Sequence, residues 1–308
     1  MNLRLWCAPG RASRHRGCGR ACRALLVGLA LLQVAGLARA DGGHHALWAV
    51  SGRHNTVYLL GSVHVLRPED SALPDVMQRA YARARKLVME VDPGEARGIA
   101  SLADLNLDAT LLPPGESLQA VLGADLYARF STRVRQLGLD PEFLDRFQPW
   151  FAALTLEQLD LTRSGYDASA GVDLQLAARA QADHKPIVGL ETLEQQLGFF
   201  AALTPAAQRS FLEQTLDESG DEETEAIVRA WERGDAAGLA VLARRSAADA
   251  PELFRLLTAE RNRRWLPRIT ALLGEDEDCL VVVGALHLVG SDGLVALLER
   301  RGYRVVQQ

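Results

Sequence analysis

Past its first forty residues the sequence keeps a single cysteine, Cys279; the other three of its four, Cys7, Cys18 and Cys22, fall inside that opening stretch. No internal disulfide can brace the folded chain, so it must rely on an apolar core, and the remaining length of about 268 residues is enough for a sizeable one. Acidic residues are missing from the same opening stretch, which holds seven of the 34 lysines and arginines and none of the 39 aspartates and glutamates. The rest of the chain carries 27 basic against 39 acidic side chains, a formal charge of −12. That balance argues against nucleic acid or an anionic membrane as partner, because either requires a clustered basic surface. Long hydrophobic runs are scarce as well. The run from Ala24 to Leu37 is short against the roughly 20 residues of a membrane-spanning helix, and Gln33 interrupts it.

The opening stretch has the order of an export signal. Arg4, Arg11, Arg14, Arg16, Arg20 and Arg23 form a basic region, the apolar run comes next, and Ala38-Arg39-Ala40 supplies a small-x-small cleavage site. Residues 1–40 are therefore expected to be removed, leaving one domain over residues 41–308 in the periplasm or outside the cell, with no stable membrane span. The early cysteines precede the apolar run, so a lipid anchor is not indicated.

Apolar alternation over Leu47 to Ser51 and Thr56 to Leu60, around Gly52-Arg53-His54-Asn55, predicts a β-hairpin. A helix over Pro74 to Lys86 and a short buried strand over Leu87 to Val91 come after it. From Ser117 to about Leu273 the pattern is helical, with prolines 141, 205 and 251 placed to open helices and one strand, Pro186 to Leu190, between them. The acidic stretch Asp217 to Glu225 reads as a solvated helix start opposing the helix dipole and is given no function. A buried strand Cys279 to Val283, a helix from about Asp292 to Arg301 and a strand Tyr303 to Gln307 close the chain. The expected fold is mixed α/β: a mixed sheet built from both ends of the domain, flanked by helices, with a large helical insertion over about 117–273.

Two strand ends share one design. The first delivers Gly61-Ser62-Val63-His64 and the second Gly284-Ala285-Leu286-His287. Glycine permits a sharp turn over a strand end, and in open α/β sheets that edge is where sites lie. The bare pattern is weak, since Gly42 to His45 matches it too, but that match is preceded by no strand. Carboxylates occupy comparable places: Glu90 within its apolar strand and Glu191 just after one. A charge in an apolar run needs a partner. For Glu90 this is either a buried ion pair with an arginine such as Arg261 or a catalytic role; Glu191 could instead cap the helix beginning near Thr192.

Taken in order, these segments resemble the TraB/PrgY/GumN family, related to the Tiki proteins and more distantly to erythromycin-esterase-like enzymes. The likeness also runs through Val88-Met89-Glu90-Val91-Asp92, Gly171-Val172-Asp173, Lys185-Pro186-Ile187-Val188-Gly189-Leu190-Glu191-Thr192 with Gln195, Glu260-Arg261-Asn262 and Gly302-Tyr303. It implies that the paired Gly-x-x-His motifs form the active centre of a metal-dependent hydrolase acting on peptide or ester bonds. His64, His287 and Glu90 would then hold a divalent cation, Glu191 would relay protons and Arg261 would face the developing oxyanion. The two glutamates could exchange these roles. The zinc-protease signature His-Glu-x-x-His is missing. A metal-free histidine base with a carboxylate partner therefore stays open, as does a non-catalytic protein binding a peptide, a metal or a haem-like ligand.

Overall fold

The apolar alternation on either side of residues 52–55 folds back on itself as predicted. In the computed structural model, which describes residues 43–94, 107–217 and 220–308, strands β1 (Leu47–Ser51) and β2 (Thr56–Ser62) pair antiparallel, with Leu47 opposite Leu60. Strands β3 (Lys86–Met89), β4 (Ile187–Gly189), β5 (Cys279–Gly284) and β6 (Val305–Gln307) complete a sheet of order β4-β3-β5-β2-β1-β6. Strands β2 to β5 run parallel, while β1 is antiparallel to both of its neighbours. The mixed α/β class read from the sequence is the one found. Central β5 explains its own composition: with helices on both faces, every residue from Leu280 to Val283 is at most 1% exposed, so the strand is an unbroken apolar run rather than an alternating one.

Helix α1 (Asp75–Arg83) crosses from β2 to β3. Between β3 and β5 stand α2 (Leu118–Leu122), α3 (Ala124–Gln136), α4 (Pro149–Arg163), α5 (Val172–Ala182), α6 (Leu193–Ala201), α7 (Pro205–Asp217), α8 (Gly220–Glu232), α9 (Ala236–Asp249), α10 (Pro251–Phe254) and α11 (Glu260–Leu272); α12 (Leu294–Glu299) comes after β5. Pro205 and Pro251 open helices as expected, whereas Pro141 opens only the 3-10 turn Pro141–Leu144. Pro149 bounds that turn on its far side: it has no N–H to offer the carbonyl of residue 145, and its ring crowds that carbonyl, so no α-helix can run from Pro141 on into α4. A π turn, Arg255–Ala259, joins α10 to α11.

The main core lies around the sheet, with Trp265, Ile269 and Leu294 among the helical residues that cover it. The insertion has two smaller cores of its own, centred on Phe130 and on Trp150. Gly43–Gln308 forms one compact unit. The expected export signal lies outside the described residues, and none of the described helices is long and apolar enough to cross a membrane.

Candidate functional site

Because β2, β3, β4 and β5 are parallel, their C-terminal ends share one edge of the sheet, and the sequence-predicted residues all stand there. Two details differ from expectation. Strand β2 runs one residue beyond Gly61, and neither Gly61 nor Gly284 needs a left-handed backbone. Their value is space. A Cβ at Gly61 would lie 3.0 Å from the Ala285 Cα, so this glycine lets the turn after β5 pack onto β2. A Cβ at Gly284 would lie 3.3 Å from His64 Nε2 and 3.5 Å from both Glu90 Oε1 and His287 Cδ2. Glu90, expected inside its strand, stands just past the end of β3. A backbone bond from Glu191 N to Glu90 O (2.9 Å) sets the two glutamates side by side.

Arg261, in the first turn of α11, lies between these carboxylates. Its Nη2 is 2.5 Å from Glu90 Oε2 and 2.5 Å from Glu191 Oε1, and its Nε donates to Glu191 Oε1 at 2.9 Å. The ion pair considered for Glu90 is therefore present. Trp265 Nε1 donates to the other Glu191 oxygen at 3.0 Å, and Thr192 with Gln195, rather than Glu191, caps α6. The guanidinium, Glu90 and Glu191 side chains are only 6%, 11% and 5% exposed. The two carboxylates are nonetheless driven apart. Burial disfavours the Glu90 charge, but Arg261, both histidines and the Gly284 N–H (2.7 Å) outweigh it and hold its pKa down to about 2. For Glu191 burial prevails over Arg261 and Trp265 and raises the pKa, with Glu90 adding to the rise.

The histidines differ in the same way. His287 is buried between Trp265, with ring centroids 4.6 Å apart, and Asn262. Asn262 Nδ2 donates to the carbonyls of His287 and Asp292, so its Oδ1 is the acceptor facing His287 Nδ1 at 2.8 Å. The proton is thereby assigned to Nδ1, and the Nε2 lone pair faces Arg261 Nη1 (3.3 Å) and Glu90 Oε1 (3.8 Å). Burial lowers the His287 pKa to about 3, Glu90 opposes this, and Arg261 reinforces it. His64 is open to solvent, with 61% of its side chain exposed, and its Nδ1 lies 3.2 Å from Asp173 Oδ1. Desolvation of its inner edge favours the neutral ring, but Asp173, helped by Glu90, prevails and raises the pKa to about 9.

Asp173 and Asn262 carry no role legible from the sequence, although both lie in stretches that bear the family resemblance. An acid in a helical first turn reads locally as a dipole partner, and nothing near it in the sequence points to His64. The preceding glycine fixes the contact. Val172 N donates to Val63 O at 3.0 Å, and a Cβ at Gly171 would stand 2.2 Å from the His64 carbonyl oxygen. Gly171→Ala is therefore expected to push the His64 turn off α5, lowering Tm by several degrees and broadening the His64 ring signals in NMR. An unshifted His64 environment would show that this docking does not set the histidine.

The donors suit a divalent cation in kind: two imidazoles with nitrogen facing inward, each backed by a carboxylate or amide, and one ionised carboxylate, set about a space that a single methyl group would fill. Among the described residues no three His, Cys, Asp or Glu side chains are already drawn in to metal-holding spacing.

An α/β protein with two histidines, two carboxylates and a buried guanidinium at the C-terminal edge of its parallel strands is the class that fold and site define. The chain belongs to the TraB/PrgY/gumN family, whose model matches residues 46–307. It is 24% identical to the uncharacterized protein YbaP of Escherichia coli (strain K12), over 83% of this chain and 94% of that protein. It is 26% identical to the metalloprotease TIKI1 of Homo sapiens (84% of this chain, 61% of that protein) and 25% identical to the metalloprotease TIKI2 of Xenopus tropicalis (84% and 59%). The chain thus spans about three-fifths of the length of these two metalloproteases. No solved structure matches it.

Proposed function

We propose that the protein is an exported, metal-dependent hydrolase of peptide or ester bonds, with His64, His287 and Glu90 as metal ligands. The observation that carries this reading is the space at Gly284, bordered by donor atoms of His64 and Glu90 and by the ring of His287. The metalloprotease names of its Tiki relatives support the same class. When bound, the cation would supply a polarised, deprotonated water and a Lewis acid for the substrate carbonyl.

The protein's own groups divide the remaining work. Asn262 and Asp173 hold the imidazoles by their Nδ1 atoms and turn Nε2 inward. Arg261 Nη1 bonds Leu257 O and His287 Nε2 rather than a carboxylate; with the His287 Nε2 lone pair given to a cation, the N–H now aimed at it would be free to face a developing oxyanion. The family resemblance suggests Glu191 as the proton relay. With both of its oxygens engaged by Arg261 and Trp265, the role we assign to it is to fix the guanidinium. The His64–Asp173 contact also allows a second reading, a metal-free base at His64, whose raised pKa would confine such activity to alkaline pH. Full turnover after exhaustive chelation would select that one.

Gly284→Ala tests the proposal directly. Its φ of −50° accepts alanine, so Tm is expected to change by no more than a few degrees. The new methyl group fills the space between the donors, so Mn²⁺, Co²⁺ or Zn²⁺ affinity by calorimetry should fall about 10- to 100-fold, with turnover falling alongside. Unchanged metal affinity in this variant would overturn the metal assignment.

A further inference from the structure

We infer that the cavity between the helical insertion and the turn that carries Leu286 is the substrate subsite, and that it receives a peptide segment carrying a lysine or arginine next to an apolar side chain. This rests on the hydrolase reading and adds a substrate class to it. The cavity has a volume of about 1140 Å³ and an apolar lining that includes Leu154, Phe200, Phe211, Leu253, Leu257 and Leu286. Pockets for compact ligands span about 300–1,000 Å³, so the space admits several residues of an extended chain rather than one side chain.

Its position ties it to the site. Leu286 immediately precedes His287, and Leu257 lies in the π turn that leads into α11. The Leu257 carbonyl accepts from Arg261 Nη1 at 3.0 Å, and that nitrogen is 3.3 Å from His287 Nε2. A single guanidinium therefore separates the cavity wall from the buried histidine. π turns are rare, appear mostly as single turns within α-helices and are frequent at functional sites.

Charge selects the occupant. Several carboxylates lining the cavity are already matched: Asp160 by Arg133 (2.6 Å), Glu225 by Arg229 (2.5 Å) and Asp249 by Arg245 (3.4 Å). Glu157 is different. It is half-buried in α4, and no cation or hydrogen-bond donor meets it among the described residues. Another carboxylate lining the same cavity is Glu223 of α8, whose side chain, among the described residues, accepts a hydrogen bond from Ser246 (3.0 Å). Burial first, and then Glu223, raise the Glu157 pKa, as expected for two anions waiting for a cation. An ammonium or guanidinium group entering over the apolar lining would pair with both, and its aliphatic stem would lie on the leucines and phenylalanines. An acidic segment would meet uncompensated repulsion. The acidic stretch that the sequence marks only as a solvated helix start thus turns Glu223 and Glu225 to a cavity.

The test uses fluorescence-quenched peptides identical except for Lys, Gln or Glu beside a central leucine, assayed both for binding by anisotropy and for cleavage. The Lys peptide should bind, and be cleaved with a kcat/KM, at least about tenfold better than the Glu peptide. The Glu157→Gln, Glu223→Gln double variant should bring that ratio to near one while its Tm stays within a few degrees of the parent's. Binding or cleavage without charge preference, or a preference unaltered in the double variant, overturns the subsite. Lys-selective binding without cleavage of any peptide supports the subsite and removes the hydrolase reading. If no peptide is either bound or cleaved, both fall.

Discussion

Arg261→Met is expected to destabilise the protein by about 3–5 kcal/mol at pH 7, seen in a thermal melt as a fall in Tm of roughly 10 °C. The size reflects the two charges that the guanidinium leaves behind. Glu90 and Glu191 are nearly buried and would lose their common cation while the backbone keeps them side by side. Methionine fills much of the volume but satisfies neither carboxylate. The pH dependence has a definite sign. In the parent, the Glu90 pKa is held at about 2, below its ordinary 4.5, so its stabilising contribution is full above 4.5 and is lost as pH falls toward 2. In the variant, unpaired burial would raise the carboxylate pKa values, so its penalty should ease on acidification. The Tm gap between parent and variant should therefore narrow from pH 7 to pH 4. A gap below 2 °C at pH 7, or one that widens with acid, would mean that Arg261 does not neutralise this pair. Arg261→Lys should fall between the two, since an ammonium restores the charge but cannot reproduce the forked contacts to both glutamates.

That single arginine also marks how far the sequence can be read. The strands announce themselves by local means, alternation in the hairpin and an unbroken apolar run in β5, and once the strands are known the two histidines emerge from their matching offset. Glu90 is conspicuous as a charge beside an apolar run, and Arg261 is a partner that the sequence suggests for it. The arrangement around Glu191 is not legible. Trp265 and Arg261 reach it from a helix more than 65 positions away, and no local pattern records which side chains will occupy its two oxygens. The glycines are recognisable but for the wrong reason: their motif suggests turn geometry, whereas their backbone is ordinary and the space above each Cα is what is used. Asp173 is hidden similarly, because its partner His64 lies over a hundred residues away and its own surroundings already explain an acid.

The two histidine variants should separate metal binding from folding. His64→Ala and His287→Ala are each expected to weaken divalent metal binding by about a hundredfold or more and to abolish most turnover, because ligands to one cation act together rather than additively. Their stabilities should differ. His64 is solvent-exposed and its loss frees only Asp173, so Tm should stay within a few degrees of the parent. His287 is buried, and its removal leaves Asn262 Oδ1 and Arg261 Nη1 without their ring partner, which costs about 1–3 kcal/mol. Equal metal loss with unequal Tm is therefore the signature of one shared ligand set built from one surface and one buried histidine. The double variant should lose no more turnover than either single variant, since removing a second ligand from an already empty site changes nothing further. Metal content by elemental analysis after dialysis provides the decisive number. Stoichiometric metal retained in the double variant would exclude His64 and His287 as ligands, and the His64–Asp173 pair would then stand as the catalytic base to be tested by chelation.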